Sequence, residues 1–506
     1  MPYVTLGVIA VISILIYIVI RKNLNYYEEE NLLKDVPTIN VNREDLEKHA
    51  FQIARHYSDV KNTNCKKKLI SNLDRSYEKI LNGYDHMDKE EKNKKDVLPA
   101  SEWLLDNLYL VEKEYKSIKY NMPQNYYKDL PVIYKGFMKG YPRVYHIAIE
   151  IVSHTDGRMD ETVIENFIRA YQRSAVLTSG ELWAVPIMLR IALIQNISRI
   201  TEKIVKAKQD KKEAEKVAER LINAFNEDKI VKEISLLKNE KFTFNSHFTE
   251  RLLKLLRDNG IDSKEVYEFI DERLGTQETS LEKIIVLEHQ MEANFEIAMA
   301  NSINSIRVIE GLNWKNYFEK LSSVEKILRE DPSHIYRKMD FQSRDNYRHE
   351  IEKISKHTNL PESYIAKKAI ECCKESEFSE NNDYEQHVGY YLIDKGLNKL
   401  KQKIGYDNTG IERLKNSIKK NMENFYIGTI IIFTALIICL IIASSLLNDN
   451  NKDLWRYSLA IIVILVPCSE IVISIFNWSV SVLSTPSFIP KMDFKEVIPE
   501  EYSKIG

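Results

Sequence analysis

The sequence predicts an all-α protein held in a membrane, and three observations lead to that fold class. Its 506 residues include only 15 glycines and 13 prolines, too few for the many tight turns of a sheet-rich fold. Apolar residues in the long central segment recur with helical spacing. Three apolar runs bracket that segment, and about 20 apolar residues suffice to cross the hydrocarbon core of a bilayer.

The first element is the uncharged run from Tyr3 to Ile20, which predicts a transmembrane anchor over residues 1–22. A cleaved signal peptide is the alternative, although the run has neither a charged segment before it nor a small-residue cleavage pattern after it. Residues 23–99 are predicted to be a helical linker region, with a loop at Lys89 to Asp96.

Residues 100–424 are predicted to form a helical domain. Apolar residues between Trp103 and Tyr120 lie on one helical face. Thr178 and Glu181 have the spacing of a capping box, which predicts the start of a helix that is kinked at Pro186. The polar stretch after it, residues 201–221, keeps a partial apolar stripe and is predicted to be an exposed helix.

Residues 425–482 are predicted to form two transmembrane helices. The second contains Pro467, Glu470 and Asn477. Because a carboxylate in a span is costly, Glu470 should face other helices or a water-filled path. Asn477 lies two turns further along the helix, on the same side. Either residue could form a hydrogen bond between the spans, or it could line a polar translocation or assembly surface.

Basic residues beside the spans predict the topology. Arg21 and Lys22 follow the first span, Lys419 and Lys420 precede the second, and Lys491 follows the third. The positive-inside rule then places residues 21–424 and the tail 483–506 in the cytoplasm and the N-terminus outside. We therefore expect a multi-pass protein of the inner (plasma) membrane, with the lipid bilayer as a partner.

Composition and motifs exclude several functions. The five cysteines are scattered and the net charge is −2, which argues against a disulfide framework and a nucleic-acid partner. No glycine-rich phosphate loop or nucleophile elbow is present, so no catalytic residue is predicted. His154-Thr155-Asp156 looks like part of a metal cluster, but no H-x-x-x-H pairing completes it. We therefore predict no metal, and a loop in which Asp156 caps the next helix.

Several blocks of the chain resemble the N-terminal region of the cyclic β-1,2-glucan synthases, large bacterial inner-membrane glycosyltransferases. The blocks follow the order of that family and span roughly residues 100–499. They include ASEWLLDNLYLVEKEY, GYPRVY, HTDGRMD, LTSGELWAVPIMLRIALIQN, NSINSIR, DPSHIYRKMDFQSRDNYR, HVGYYLIDKG and VPCSEIVISIFNW.

The resemblance implies a role in building β-1,2-glucan from UDP-glucose. In that family the helical region precedes the nucleotide-sugar glycosyltransferase domain, and the tail PSFIPKMDFKEVIPEEYSKIG resembles the lead-in to it. UDP-glucose and a divalent metal are expected only in that catalytic domain, so no cofactor is expected in this chain. The implied partners are a glycosyltransferase domain, in cis or in trans, and the growing glucan.

Four residues are candidates for binding the glucan, namely Arg143, Tyr145, Glu181 and Trp183. Aromatic faces stack on sugar C–H surfaces and charged groups bind hydroxyls. The alternative is that they build the helical core, with Glu181 capping its helix. At the level of the whole chain, the alternative to a glucan synthase part is a stand-alone membrane-anchored scaffold. An enzymatic reading would need His154, Asp156 and Glu181 to form an active site.

Overall fold

The computed structural model describes most of the chain. The described residues are 42–57, 60–61, 69–92, 98–122, 128–136, 138–240, 242, 244–275, 281–376, 383–407, 410, 412–413, 421–448, 454–483 and 489–494. The predicted anchor over residues 1–22, the end of the predicted loop at residues 93–96 and most of the tail 483–506 lie outside these ranges. The start of that predicted loop is helical, because the helix before it continues to Lys92.

The prediction of an all-α fold is confirmed. The helices are α1 Arg43–His56, α2 Leu69–Lys92, α3 Pro99–Asn121, α4 Arg143–His154, α5 Glu161–Gln172, α6 Ser179–Asn226, α7 Ile230–Lys238, α8 Ser246–Asp258, α9 Lys264–Gly275, α10 Leu281–Gly311, α11 Trp314–Leu321, α12 Ser323–Leu328, α13 Ile335–Lys338, α14 Phe341–Thr358, α15 Glu362–Ser376, α16 Val388–Ile393, α17 Leu397–Lys403, α18 Met422–Asn448 and α19 Leu454–Leu483. Two short strands, β1 Val60–Lys61 and β2 Val132–Ile133, pair antiparallel with Val60 opposite Ile133.

The chain divides into two compact units, Met1–Ser323 and Val324–Gly506. The centre of the first unit is α6, whose 48 residues give it a length of about 72 Å. Its N-terminal half packs among α2, α3, α4 and α10, and its C-terminal half packs on α8. One helix therefore connects two hydrophobic cores, one around Leu189 and Ile197 and the other around Leu221 and Phe248.

Helix α6 also shows how local sequence sets the fold. It begins with the predicted capping box, in which Thr178 and Glu181 exchange hydrogen bonds. It continues through Pro186 as one helix. The predicted stripe of the polar stretch is buried at Ile204, Ala207, Ala214, Ala218 and Leu221. Apolar side chains three, four or seven residues apart share one face, and this suffices to hold an otherwise charged helix against the core.

Gly83 lies where α2 packs closely against Thr201 of α6, and alanine is expected to destabilise the protein there. A Cβ atom at this position would lie 2.1 Å from Cγ2 of Thr201. We expect G83A to lower the free energy of unfolding by about 1–3 kcal/mol, despite the better helix propensity of alanine. The measurement is the thermal midpoint of the full chain in detergent.

Two further variants make this test specific. The double variant G83A/T201S removes the obstructing methyl group and keeps the hydroxyl that donates to Ile197 O, so it should recover most of the loss. The matched control is G311A, because a Cβ at Gly311 meets nothing within 4 Å. A wild-type midpoint for G83A would contradict the close approach.

The second unit has its own core, centred on Tyr336, Ile351, Ile365 and Leu392. A segment that follows the last apolar helix returns to this unit. Met492 forms a β-bridge with Met339, and the Lys491 amide donates to Ser343 Oγ at 2.8 Å. The segment 489–494 is therefore anchored to the loop between α13 and α14.

Helices α18 and α19 are long and apolar enough to cross a membrane, over Glu423–Ser444 and Ser458–Val482. They contact each other, and most of their large apolar side chains are exposed. Exposed apolar surface of this size on two adjacent helices indicates a lipid environment. This agrees with the predicted pair of spans at residues 425–482.

Candidate functional site

A buried ion pair joins two of the candidate sugar-binding residues. Arg143 is the first residue of α4, and Glu181 lies in the first turn of α6. The arginine donates from Nε to Oε1 at 2.8 Å and from Nη2 to Oε2 at 2.6 Å. Their side chains are 4% and 0% exposed. Burial alone would lower the pKa of Arg143, but the charge of Glu181 outweighs it and raises that pKa.

Glu181 also takes part in the capping box at the start of α6. Its Oε2 accepts from the Thr178 amide at 2.9 Å, while Thr178 Oγ1 accepts from the Glu181 amide at 3.2 Å. The carboxylate thus caps α6 and ties α4 to it. Its hydrogen-bonding capacity is used within the protein, as expected for a buried charge.

The two aromatic candidates contact other residues. Tyr145 is 5% exposed and donates from its hydroxyl to Gln195 Oε1 at 2.7 Å. Trp183 is half-buried and stacks on Phe318 with ring centroids 4.8 Å apart. The structure therefore joins Arg143 to Glu181 and places Tyr145 and Trp183 in separate contacts. The assignment of these four residues to glucan binding stays a prediction.

A cluster of histidines around Glu150 was not anticipated from the sequence. His49 on α1 places Nε2 2.8 Å from Glu150 Oε2, and His146 places Nε2 2.9 Å from Glu150 Oε1. His154 Nδ1 lies 3.4 Å from Oε2 and donates to the Glu150 carbonyl at 3.0 Å. His49, Glu150 and His154 form the grouping of described residues whose ligand atoms could hold a metal ion.

Electrostatics keep this carboxylate ionised. Burial raises the pKa of Glu150, but hydrogen bonds from His146 and His49 outweigh burial and hold that pKa well below its usual range. The ring centroids of His49 and His154 lie 4.2 Å apart, with the ring planes tilted by 36°. Burial, and then the charge of His49, lower the pKa of His154.

The sequence contains a signal for the cluster, although it has no H-x-x-x-H motif. His146, Glu150 and His154 are spaced four residues apart, so they share one face of α4. The missing partner, His49, lies about a hundred residues earlier. Only the packing of α1 within the first unit identifies it.

The HTDGRMD block closes α4 as predicted, but the predicted cap is wrong. Helix α5 is capped by Asp160, whose Oδ1 accepts from the Val163 amide at 2.8 Å. Asp156 instead adopts a left-handed conformation with φ of 47°. Gly157 follows with φ of 74°, and a Cβ there would lie 2.4 Å from Ser302 Oγ. The turn is thus shaped to pack against α10.

His154 should make the stability of the protein depend on pH. A histidine whose pKa is lower in the folded protein than in the unfolded chain takes up protons on unfolding. Stability should therefore fall as the pH drops below about 6.5 toward the folded-state pKa. H154N keeps an N–H donor for the Glu150 carbonyl but does not titrate, so it should weaken this loss.

The measurement is the thermal midpoint between about pH 7.5 and about pH 5.5 with a chelator present. H86N is the matched control, because His86 is exposed on α2 and should leave the slope unchanged. If the thermal midpoints of H154N and of the wild type fall equally with pH, His154 is not the cause of the pH dependence.

The predicted intramembrane polar residues lie on α19. Asn477 Oδ1 accepts from the Tyr426 hydroxyl of α18 at 3.2 Å, which is a hydrogen bond between the two apolar helices. Glu470 is exposed on α19, on the opposite side of the helix from the buried Cys468 and Val472, each of which is two residues away. A functional role for either residue stays a prediction.

The fold and these sites define a class, that of membrane-associated all-α proteins with buried ion pairs between helices. The chain is 29% identical over 410 residues to cyclic beta-(1,2)-glucan synthase NdvB of Rhizobium meliloti (strain 1021). The aligned part is 80% of this chain and spans only 14% of that relative. No protein-family profile matches the chain. The chain is thus related to the cyclic β-1,2-glucan synthases.

Proposed function

We propose that this chain is the membrane-anchored helical part of a cyclic β-1,2-glucan synthase. It would support UDP-glucose-dependent glucan synthesis by a catalytic glycosyltransferase domain, in cis or in trans. The observation that carries the proposal is the similarity to the R. meliloti synthase over 80% of the chain. The two apolar helices agree with a protein that works at a membrane.

In this proposal the helical units lie on the cytoplasmic side of the inner membrane and the N-terminus lies outside. The basic residues Arg21, Lys22, Lys419 and Lys420 favour that orientation. UDP-glucose and a divalent metal would be bound by the catalytic domain, which would act in cis or in trans. Arg143, Tyr145, Glu181 and Trp183 stay candidates for contact with the growing glucan.

The anchored segment 489–494 suggests how such a domain would be positioned. The Asp340 amide donates to Lys491 O at 3.0 Å, and the Asp493 amide donates to Lys338 O at 2.8 Å. Together with the hydrogen bond from the Lys491 amide to Ser343 Oγ, these bonds hold the segment at Lys491 and Asp493. A catalytic domain linked through the residues that follow would then start from a fixed point beside the membrane.

The test is glucan synthesis in membranes. The chain is expressed alone, together with a catalytic domain of the family, or fused to it, and cyclic β-1,2-glucan made from UDP-glucose is measured. We expect product only when both parts are present. Equal synthesis by the catalytic domain without this chain would favour the alternative of a stand-alone scaffold.

A matched pair of variants tests the anchored segment. K491P removes the amide that donates to Ser343 Oγ, whereas K491A keeps it, and the Lys491 side chain is exposed. We expect K491P to reduce glucan synthesis several-fold at an unchanged protein level and K491A to leave it unchanged. Equal activity of the two variants would show that the anchored segment does not position the catalytic domain.

A further inference from the structure

The cluster around Glu150 has the composition of a transition-metal site. Two imidazoles and one carboxylate form a ligand set that suits Zn²⁺ and similar ions, whereas Mg²⁺ and Ca²⁺ prefer oxygen ligands. The three side chains come from two helices, His49 from α1 and the other two from α4. A bound ion would therefore link these helices.

The distances within the cluster are close to those that an ion needs. One ligand atom from each of His49, Glu150 and His154 lies within 4.8 Å of the other two. One of these separations, between His49 Nε2 and Glu150 Oε2, is 2.8 Å. A tetrahedral ion with bonds of about 2.1 Å holds its ligand atoms about 3.4 Å apart. The separation of His49 from Glu150 is somewhat shorter than that value and none exceeds 4.8 Å, so modest side-chain rotations would be enough.

Neighbouring groups orient the ligands as they do around known metal sites. His146 is 1% exposed and bonds Glu150 Oε1, which leaves Oε2 toward His49 and His154. His154 donates its Nδ1 proton to the carbonyl of Glu150, so its ring is held by its own helix. Metal-binding carboxylates and imidazoles are commonly held by such outer hydrogen bonds.

The burial of the cluster also suits an ion. The side chains of Glu150 and His154 are 11% and 8% exposed, whereas that of His49 is 28% exposed. The site is thus enclosed on the side of α4 and reachable from the side of His49. Three protein ligands leave a fourth position for water or another group.

We propose that His49, Glu150 and His154 bind one divalent transition-metal ion of the Zn²⁺ type, with His146 as a positioning residue. The ion takes the place of the hydrogen between His49 Nε2 and Glu150 Oε2, so His49 gives up its Nε2 proton on binding. Bound metal then holds α1 against α4. The proposal is independent of glucan synthesis and is tested without it.

The experiment uses the full chain in detergent, purified without a histidine tag and stripped with a chelator. Co²⁺ is titrated as a spectroscopic probe, and bound Zn²⁺ is then counted by elemental analysis after dialysis. We expect one equivalent of metal per chain, a tetrahedral Co²⁺ absorption spectrum, and a higher thermal midpoint with Zn²⁺. Less than stoichiometric binding by the wild type would overturn the proposal.

Variants identify the ligands. H49A and H154A should lose stoichiometric binding, and H146A should weaken the affinity by about 10–100-fold. H86A should bind as the wild type does, because His86 is exposed on α2 and outside the cluster. Wild-type affinity in H49A or H154A would overturn the assignment. If circular dichroism shows that a variant is unfolded, the proposal is judged on the wild type and H86A. Both should then bind one equivalent of metal and give a tetrahedral Co²⁺ spectrum.

Discussion

Replacing Arg143 with methionine is expected to lower the free energy of unfolding by about 3–5 kcal/mol, because it leaves the carboxylate of Glu181 buried without its counter-charge. Glu181 is fully buried, and the two hydrogen bonds from Arg143 are its contacts with a cation. Methionine retains most of the apolar volume of the arginine side chain, so the loss of the positive charge dominates the change in stability. The measurement is the thermal midpoint of the full chain, with hydrogen exchange in α4 as a local readout.

Two variants separate charge from packing at this position. R143M/E181Q should be more stable than R143M, because glutamine removes the unpaired charge and still serves the capping box. R169A is the matched control, since the Arg169–Glu165 pair is partly exposed and surface pairs contribute little. If R143M is as stable as R169A, the buried pair does not hold α4 to α6.

In the second unit, E325A is expected to have an effect of similar size, about 3–5 kcal/mol. Glu325 is fully buried and accepts from Arg348 Nη1 at 2.6 Å, from Arg329 Nε at 2.8 Å and from the Tyr336 hydroxyl at 2.7 Å. Its removal leaves the guanidinium of Arg348, which is 1% exposed, without its buried carboxylate. Hydrogen exchange in α14 should rise, because Arg348 lies on that helix.

Two further variants test whether the effect of E325A comes from the loss of this buried carboxylate. E330A changes an exposed glutamate five residues away and should leave the thermal midpoint unchanged. E325L/R348M removes both charges and should recover part of the loss. Equal midpoints for E325A and E330A would show that this carboxylate does not organise the second unit.

The sequence predicted several local features correctly, and each depends on neighbours along the chain. Thr178 and Glu181 lie within one helical turn, so their capping box follows from spacing alone. The apolar stripe from Ile204 to Leu221 is buried for the same reason, since its side chains share one face of α6. The apolar helices α18 and α19 were predictable from their length and composition.

Contacts between distant segments were beyond such reasoning. Glu181 was a candidate for both capping and sugar binding, and only the packing of α4 on α6 brings Arg143 onto it. Asp156 was predicted to cap α5, but the turn packs against α10 and Asp160 takes that role. Local spacing does not report which of two nearby acidic residues the tertiary contacts select.

Local sequence was enough to predict the helical character of the chain, the capping box of α6 and the apolar helices α18 and α19, because these depend on interactions within a few residues. Three features depend on the tertiary structure: the grouping of His49 with Glu150 and His154, the buried ion pair of Glu325 with Arg348, and the pairing of residues 489–494 with the second unit. Each of these joins segments whose relative position is set by which helix faces pack together. That choice depends on the sum of many weak apolar contacts over the whole core, which no single stretch of sequence contains.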